Sequence, residues 1–233
     1  MDRDSKSVHA KPRVYDSRHG YALPATAYDT WHWSYFWHQN EAPVVHRWVA
    51  TLSPGMMLDA GSGTGPYRPV LQNAGHQVIS ADLSGEMLNI QLQKFPRAPV
   101  VEARIEALPF RASSFDYILC TRVLSHIKTL LPAFGEFARL TKPGAKLLLT
   151  DVHPQHRYSE MSISTNRERI SIETYKHPIS EIKQLLRSTG FELTEFRELH
   201  FQDLAWRPPI ENFENIYSDL KLPISYIAFL RRL

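Results

Sequence analysis

The ten residues 58–67, which read LDAGSGTGPY, decide the fold of this chain. Glycines stand at 61, 63 and 65, directly after the apolar stretch MMLDA at 56–60. A short apolar run that ends in closely spaced glycines is typical of a buried strand followed by a tight turn, where the backbone can approach a bound ligand. The stretch therefore predicts a ligand site at the carboxyl end of this strand.

The spacing of the glycines excludes two common phosphate-binding turns. A dinucleotide-binding turn needs the pattern G-x-G-x-x-G, and its third glycine position is Pro66 here. A P-loop continues with Gly-Lys-Ser or Gly-Lys-Thr, whereas this chain continues with Pro66, Tyr67 and Arg68. The turn is therefore predicted to bind something other than a phosphate.

Two acidic residues describe the ligand further. Asp59 ends the strand just before the turn, where a carboxylate disfavours a phosphate and favours a cation. Asp82 ends the next strand, HQVISAD at 76–82, at the place where an acid accepts hydrogen bonds from ribose hydroxyls. S-adenosylmethionine meets these conditions, because it carries an amino group and a ribose with no phosphate between them.

Strands and helices alternate along the rest of the first two thirds of the chain. Further strands are predicted at PVVEA (99–103), FDYILC (115–120) and KLLLTDV (146–152). Helices are predicted from Pro43 to Leu52, over 67–74, from an N-cap at Ser84 to about residue 95, and over 129–140. This alternation predicts an α/β fold with a doubly wound, mostly parallel sheet.

The last third of the chain has a different pattern. MSIST (161–165) and RISIETY (169–175) alternate apolar and polar residues and predict a β-hairpin. Ser180 is predicted to cap a helix that ends at Thr189. FELTEFREL (191–199) and ISYIAFLRRL (224–233) predict two more strands, and the long connection over 200–223 is predicted to form a cap over a site.

Composition bounds the class of protein. The 233 residues are 43% hydrophobic and 22% charged, which is ordinary for a globular domain. The single cysteine, Cys120, excludes an internal disulfide framework and a cysteine-rich zinc site, and we predict no metal. The formal net charge of +3 is mild and mixed along the chain, so we predict no nucleic-acid partner. The polar N-terminus and the lack of a long apolar run predict a cytoplasmic protein without a membrane span.

Four segments, in order, resemble the class I S-adenosylmethionine-dependent methyltransferases. LDAGSGTG (58–65) is similar to the first motif of that family, and ADLSGEML (81–88) to the acidic segment after its second strand. EALPFRASSFDYILC (106–120) and LSHIKTLLPAFGEFARLTKPGAKLLLTD (124–151) resemble the segments around its fourth and fifth strands. The resemblance covers about residues 44–152 and implies a seven-stranded sheet that ends in an antiparallel C-terminal edge hairpin. It also implies S-adenosylmethionine as the cofactor.

The resemblance implies a set of cofactor-binding residues: Asp59, Gly61, Gly63, Gly65, Asp82, Leu83, Met87, Arg104, Ile105, Glu106 and Thr121. Arg104 departs from the family, whose members often have an acid there that contacts the adenine amino group. An arginine side chain cannot accept that hydrogen bond. The backbone of Arg104 and Ile105 could hold adenine instead, Glu106 could substitute, or the affinity could be lower.

Three residues are candidates for catalysis: His126, His153 and Tyr28. His126 follows the fourth core strand and His153 follows the fifth, at the edge of the sheet where ligands bind in open α/β folds. A histidine titrates near neutrality and suits a general base, although a structural role for His126 is an open alternative. Two histidines in HPQH (153–156) are too few to predict a metal site.

Aromatic residues favour a planar or apolar small molecule as methyl acceptor. They cluster at 28–37 and over the predicted cap, and such residues line pockets for small molecules. We predict a methyltransferase acting on an O, N or C atom of a natural product or quinone-like metabolite, as a monomer or homodimer. The alternatives are a methyltransferase that acts on RNA or protein, and a cofactor-binding or NAD-dependent protein without methylation activity.

The predicted organisation is one domain with appendages. Residues 1–43 form an N-terminal arm whose segment Tyr28 to Trp37 is an aromatic lid, and residues 44–233 form the methyltransferase domain. Cap insertions are expected at about 153–178 and 200–223. The lid segment has no charged residue between Thr30 and Trp37, so it must be buried against something.

Overall fold

The computed structural model describes residues 13–156, 161–164, 169–200, 203 and 222–233. Within these residues the chain forms a seven-stranded sheet and a separate three-stranded sheet. The strands are β1 (Arg13–Tyr15), β2 (Met56–Ala60), β3 (Gln77–Asp82), β4 (Val100–Glu102), β5 (Phe115–Thr121), β6 (Thr141–Val152), β7 (Met161–Ser164), β8 (Arg169–Ile172), β9 (Phe191–His200) and β10 (Pro223–Arg232).

The large sheet confirms the predicted fold class. Its strand order is β4-β3-β2-β5-β6-β10-β9. The pairs β4·β3, β3·β2, β2·β5 and β5·β6 are parallel, whereas β10 runs antiparallel to both β6 and β9. The order reverses direction between β2 and β5, so the carboxyl ends of these neighbouring strands flank the point where α/β sheets bind ligands.

Helices cover both faces of this sheet. They are α1 (Ser17–Ala22), α2 (His32–Val49), α3 (Arg68–Asn73), α4 (Gly85–Lys94), α5 (Leu130–Leu140) and α6 (Ile179–Ser188), with 3-10 turns at Ala25–Thr30 and Leu124–His126. On one face α5 and α6 bury Phe134, Phe137 and Ile182 against the sheet. On the other face α2 and α3 bury Val45 and Leu71. Burial of apolar side chains on both faces explains why the central strands read as continuous apolar runs.

The predicted start of the second helix is wrong. Pro43 lies inside α2, which begins eleven residues earlier at His32. Residues Phe36, Asn40, Val44 and Trp48 are all buried and lie four apart, so one buried stripe runs through the proline. Tertiary packing along this stripe offsets the backbone hydrogen bond that Pro43 cannot donate.

Helix ends agree with the prediction at α4 but not at α6. Ser84 is the N-cap of α4, and its side chain accepts a hydrogen bond from the Met87 N–H. Helix α6 begins at Ile179, before the predicted cap Ser180, and its N-cap position is Pro178, which makes no side-chain cap hydrogen bond. Ser180 was therefore a misleading signal for the start of this helix, because Pro178 already holds the backbone before the first turn in an extended conformation.

The predicted hairpin at 161–175 belongs to the small sheet. Strands β7 and β8 pair antiparallel as predicted, and β1 of the N-terminal arm pairs parallel with β8. Ile170 and Ile172 pack beneath the arm residues Tyr15, Tyr21 and Trp31. This pairing joins segments about 155 residues apart, and no local pattern in the sequence predicted it.

Most of the predicted cap at 200–223 lies outside the described residues, as does the hairpin turn at 165–168. Among the described residues, no helix is long and apolar enough to cross a membrane. The same residues contain no group of three or more His, Cys, Asp or Glu side chains placed to hold a metal ion.

Candidate active site

A cavity opens at the carboxyl ends of β2, β3 and β5. Its empty volume is about 860 Å³, part of which is open to solvent. The glycine turn after β2, helix α4, the segment after β4, the N-terminal arm and the loop after β5 all contribute residues to its lining. Its lining includes Tyr21, Tyr28, Gly61, Gly63, Asp82, Leu83, Met87, Arg104, Ile105, Glu106, Thr121, Arg122, Val123, His126 and Ile127.

The glycine turn has a conformation that requires glycine. Gly61, Gly63 and Gly65 have φ angles of 72°, 53° and 75°, which are in the left-handed region. A Cβ added to Gly61 would lie 2.1 Å from a methyl carbon of Val123. The turn is therefore packed as closely as its backbone allows against the loop after β5.

Asp82 is fixed by backbone hydrogen bonds at the edge of the cavity. Its Oδ2 accepts a hydrogen bond of 2.7 Å from the Gly63 N–H, and its Oδ1 accepts one of 2.9 Å from the Ser84 N–H. Burial raises the pKa of this carboxyl, while the two N–H donors oppose that rise. The turn after β2 and the turn after β3 thus share one carboxylate, which faces the ligand space.

Asp59 lies beneath the turn and does not line the cavity itself. It is 2% exposed, and its Oδ2 has no hydrogen-bond partner. Burial raises its pKa to about 7, against the opposing effect of Arg68, and Asp82 raises it further. A buried carboxylate without a partner requires a proton or a cation for neutralisation, so a ligand ammonium group nearby would be favourable.

Apolar and acidic residues form the side of the cavity below β4. Leu83, Met87 and Ile105 supply apolar surface. Glu106 accepts a hydrogen bond of 2.8 Å from the Arg104 guanidinium. This arrangement is compatible with adenine held by the backbone of Arg104 and Ile105, with adenine held by Glu106, and with a lower affinity for adenine.

The N-terminal arm contributes aromatic residues to the cavity. Tyr21 and Tyr28 line it, and the Tyr21 hydroxyl lies 2.8 Å from Nε2 of His126. The Nδ1 atom of His126 lies 3.2 Å from the backbone oxygen of Glu173. Thus two predicted catalytic residues, Tyr28 and His126, lie at one cavity.

His153 and Gly65 are not among the residues that line this cavity in the described part of the chain. His153 is 3% exposed and lies 3.4 Å from Glu198 on β9. Burial lowers its pKa, and Glu198 opposes this. Its role as a base stays a prediction, but of the two histidines only His126 is placed at the cavity.

Tyr21 and Arg122 are among the lining residues that were not predicted. Arg122 follows β5 with a φ of 57°, and its Nε lies 3.2 Å from Oε2 of the fully buried Glu41. Burial lowers the pKa of Arg122, but Glu41 together with Tyr28, Tyr67 and Tyr21 outweighs burial, so the pKa is raised. Arg122 directly follows Thr121, the last residue of β5, and this position at a strand end could have indicated that Arg122 lies at the cavity. No feature of the sequence around Tyr21 indicates that Tyr21 lies there.

Comparisons with known proteins now decide the family. Residues 58–149 match the family described as methyltransferase domain. The chain is 30% identical over 161 residues to the uncharacterized methyltransferase YodH of Bacillus subtilis, covering 66% of this chain and 67% of YodH. The chain belongs to the class I S-adenosylmethionine-dependent methyltransferases.

Two further relatives of this methyltransferase carry names that state a substrate. It is 33% identical over 103 residues to demethylmenaquinone methyltransferase of Renibacterium salmoninarum, covering 43% of this chain and 44% of that one. It is 29% identical over 172 residues to malonyl-[acyl-carrier protein] O-methyltransferase of Methylovorus, covering 67% and 58%. The chain therefore spans only about half the length of these two proteins.

A solved structure matches the fold of the methyltransferase. It is the S-adenosylmethionine-dependent methyltransferase of Mesorhizobium loti, with a TM-score of 0.63, 16% identity, and coverage of 82% of this chain and 97% of that one. At this identity the match speaks for the fold alone. It agrees with the parallel sheet and the antiparallel edge described above.

The residues present fit S-adenosylmethionine, the cofactor of the methyltransferase. Asp82 faces the ligand space with a carboxylate suited to ribose hydroxyls, and the Oδ2 atom of the buried Asp59 beneath the turn has no hydrogen-bond partner, which favours a cation nearby. Within the described lining, Arg104 and Arg122 are both paired with glutamates, so neither is left over for a phosphate. This charge pattern suits a sulfonium nucleoside better than a dinucleotide.

Proposed function

We propose that this methyltransferase acts on an O, N or C atom of a planar or apolar small molecule, of the natural-product or quinone-like kind. The observation that carries the proposal is the aromatic wall. The rings of Tyr21 and Tyr28 meet edge to face with centroids 5.8 Å apart, and those of Tyr21 and His126 with centroids 5.2 Å apart. Such a wall offers a flat ring both stacking and edge contacts.

Apolar side chains continue this surface beyond the aromatic rings. Val123 and Ile127 line the same side of the cavity, and Trp31 packs behind Tyr28 with a centroid distance of 6.2 Å. A small ligand gains affinity mainly from such apolar lining, with a few polar groups that set its orientation. The wall therefore suits an aromatic acceptor better than a sugar or a free amino acid.

Each part of the chain has a distinct task in this proposal. S-adenosylmethionine supplies an electrophilic methyl group when bound. Asp82 holds the ribose, Asp59 stabilises the ammonium end, and the arm excludes water and orients the acceptor. Because methyl transfer is an in-line displacement, positioning of the acceptor accounts for most of the catalysis.

The name of one relative supports a planar, apolar small molecule as the class of substrate. Demethylmenaquinone methyltransferase of Renibacterium salmoninarum is named for a quinone, which is planar and apolar. A cytoplasmic location and a monomeric or homodimeric state are part of the same proposal. So is the division into an arm over 1–43 and a domain over 44–233.

A second candidate is methylation of a carboxylate, and Arg122 is the observation that favours it. A guanidinium on the cavity wall is suited to bind a carboxylate. The malonyl-[acyl-carrier protein] O-methyltransferase of Methylovorus is named for such a group. Against it, Arg122 is already paired with Glu41, which reduces the attraction for a second anion.

Transfer of a radiolabelled methyl group tests the proposal directly. The full chain is incubated with labelled S-adenosylmethionine and, in separate reactions, naphthalene-based aromatic acceptors, a malonylated acyl carrier protein, and transfer RNA. The proposal expects label only in the solvent-extractable aromatic product. Label in the carrier protein alone would favour the second candidate, and label in RNA alone would contradict both.

A further inference from the structure

Tyr21 and His126 are far apart in the sequence but are in contact at the cavity wall. Tyr21 lies on α1 of the arm and His126 in the turn after β5, and the Tyr21 hydroxyl oxygen is 2.8 Å from Nε2 of the histidine. Both side chains line the cavity. The contact joins two groups that can each donate and accept a proton.

The surroundings of His126 set the direction of this hydrogen bond. Its Nδ1 lies 3.2 Å from the Glu173 carbonyl oxygen, which can only accept a hydrogen bond. In the neutral ring, therefore, Nδ1 carries the hydrogen and Nε2 has a lone pair. The Tyr21 hydroxyl then donates to Nε2, and a phenolic oxygen that donates a hydrogen bond can also accept one.

The surroundings of His126 keep its ring neutral before the reaction, and one nearby carboxylate opposes that effect. Burial lowers the pKa of His126, Asp151 opposes this, and Arg122 lowers the pKa further. Asp151 is held by hydrogen bonds of 2.7 and 2.8 Å from the N–H and hydroxyl of Ser125 and by one of 2.7 Å from the Val152 N–H. An imidazolium formed here would be stabilised by a carboxylate whose position is already fixed.

We propose that Tyr21 and His126 form a proton-accepting pair, and that the acceptor is therefore a phenol or enol hydroxyl of the planar molecule. The inference rests on the proposed function and narrows it. The acceptor hydroxyl gives its proton to the Tyr21 oxygen while the Tyr21 proton moves to Nε2 of His126. The new O–CH₃ bond forms as the methyl–sulfur bond breaks, with the bond pair left on sulfur, so the pair ends as tyrosine and imidazolium.

The proposal separates acceptor classes by their need for a base. A carboxylate is already ionised at neutral pH and carries no proton to remove, whereas a phenol or enol must lose one. The pair would have no task with a carboxylate. Its presence on the aromatic wall thus favours the hydroxyl acceptor over the carboxylate candidate.

Tyr21→Phe and His126→Gln test the pair, because each keeps most of the side-chain volume. Wild type and variants are assayed with 2-naphthol, 2-naphthylamine and 2-naphthoic acid, and with 2,4-dinitro-1-naphthol, which is ionised at neutral pH. We expect wild type to prefer 2-naphthol. Each variant should lose on the order of 100-fold in kcat/KM with 2-naphthol but less than about threefold with the ionised naphthol, since general-base catalysis contributes roughly 10²–10⁴-fold.

Two further measurements distinguish a Tyr21–His126 pair that acts as a base from a hydrogen bond that only stabilises the structure. The rate of the variants with 2-naphthol should rise with pH until the naphthol itself ionises, and their affinity for S-adenosylhomocysteine should stay within about twofold. Tyr117→Phe is the matched control, because this tyrosine of β5 packs against Trp48 and His76 and is not among the described residues that line the cavity, and it should keep the wild-type ratio between the two naphthols. Equal losses on both naphthols, or no loss, would overturn the pair as a base.

The same assay separates failure of the inference from failure of the proposed function. Methylation of the naphthylamine or naphthoic acid in preference to 2-naphthol overturns the hydroxyl acceptor and leaves a small-molecule methyltransferase. Methylation of none of the four compounds by the wild type, with no binding of any of them, contradicts the planar small-molecule acceptor and the inference with it.

Discussion

Asp82 is the residue on which the two turns of the ligand site converge. Because it already accepts hydrogen bonds from Gly63 and Ser84, its carboxylate is oriented before any ligand arrives. A side chain that is already oriented loses little conformational entropy when a ligand binds, so it contributes more to affinity than a mobile side chain would.

Asp82→Ala should weaken the binding of every ligand that contains the adenosine ribose. We expect a loss of about 1–3 kcal/mol for S-adenosylhomocysteine and a similar loss for 5′-methylthioadenosine, which lacks the amino acid end. Isothermal titration calorimetry measures both. Asp116→Ala is the matched control, since Asp116 accepts a hydrogen bond from the Met56 N–H at the opposite end of β2. Unchanged affinity in Asp82→Ala would remove Asp82 from the ribose site.

Asp59 should exchange a proton when the cofactor binds. Its pKa of about 7 in the free protein means that it is partly protonated at neutral pH, with Arg68 and Asp82 as the charged groups that act on it. A ligand ammonium group lowers this pKa, so binding releases a proton and affinity rises with pH between about 5 and 7, levelling above about 8.

Calorimetry of S-adenosylhomocysteine binding in buffers of different ionisation enthalpy measures this proton release. Asp59→Asn should abolish the release and leave the affinity for 5′-methylthioadenosine unchanged. Release of the same number of protons by wild type and Asp59→Asn would show that another group titrates.

Several residues that the sequence indicated are placed at the cavity by the structure. Asp82 and His126 were indicated by their positions at or after the ends of core strands and Thr121 by the family resemblance, and all three line the cavity. Tyr21 was missed because its place depends on the docking of the arm, which no short-range pattern encodes. His153 follows a strand too, but β9 and β10 extend the sheet beside it and bury it.

At the scale of elements, the N-terminal arm is tied to the glycine turn. Asp29 accepts a hydrogen bond of 2.5 Å from the Thr64 hydroxyl and forms a 2.8 Å ion pair with Lys94 of α4. Arg18 pairs with Glu102 at the end of β4. Exposed ion pairs contribute little to stability, so this docking is expected to respond to ligands.

We expect the arm from residue 17 to 31 to become protected from hydrogen exchange when S-adenosylhomocysteine and 2-naphthol bind together. Deletion of residues 1–30 should abolish methyl transfer and leave the rest folded, because it keeps α2 and the buried Phe36. Truncation at residue 37 would remove Phe36 and confuse the test. Unfolding of the shorter truncation, or equal exchange with and without ligands, would make the arm part of the core.

Element-scale prediction worked best for amphipathic and capped elements. Helix α4 begins after Ser84 as expected, and β9 and β10 form the expected edge hairpin. The start of α2 was wrong because a proline at a plausible first turn looked like a boundary. The third strand of the small sheet, β1, was missed because it pairs with β8 through long-range backbone hydrogen bonds.

At the scale of the whole molecule, a buried acid makes stability depend on pH. Glu41 on α2 is fully buried beside Arg122, and burial raises its pKa to about 7. A carboxyl whose pKa is raised on folding stabilises the fold below its unfolded pKa, and that stabilisation is lost as pH rises through 7. The loss attributable to Glu41 is on the order of 3 kcal/mol.

Urea unfolding of the ligand-free protein at several values between pH 4.5 and 8 measures this loss. Glu41→Gln removes the titrating group, so the free energy of unfolding should fall less steeply with pH in this variant than in wild type. Parallel pH profiles of the two proteins would show that Glu41 does not titrate in this range.

The seven-stranded sheet was predictable because one pattern, alternating buried strands and amphipathic helices, recurs along the core. The central strands carry their apolar runs in sequence, and the glycine turn marks the ligand edge. The N-terminal arm shapes the acceptor side of the cavity, and its packing joins residues more than a hundred positions apart, as Tyr21 and His126 are. Long-range packing of that kind leaves no periodic signal.

A crystal structure of the complex with S-adenosylhomocysteine tests the central claim most directly, that this cavity binds the methyl donor and presents it to the aromatic wall. We predict ribose hydroxyls within hydrogen-bond distance of Asp82 and the ligand sulfur facing the space beside Tyr21 and His126. A ligand bound elsewhere, or bound here with its sulfur turned away from that pair, would contradict the claim.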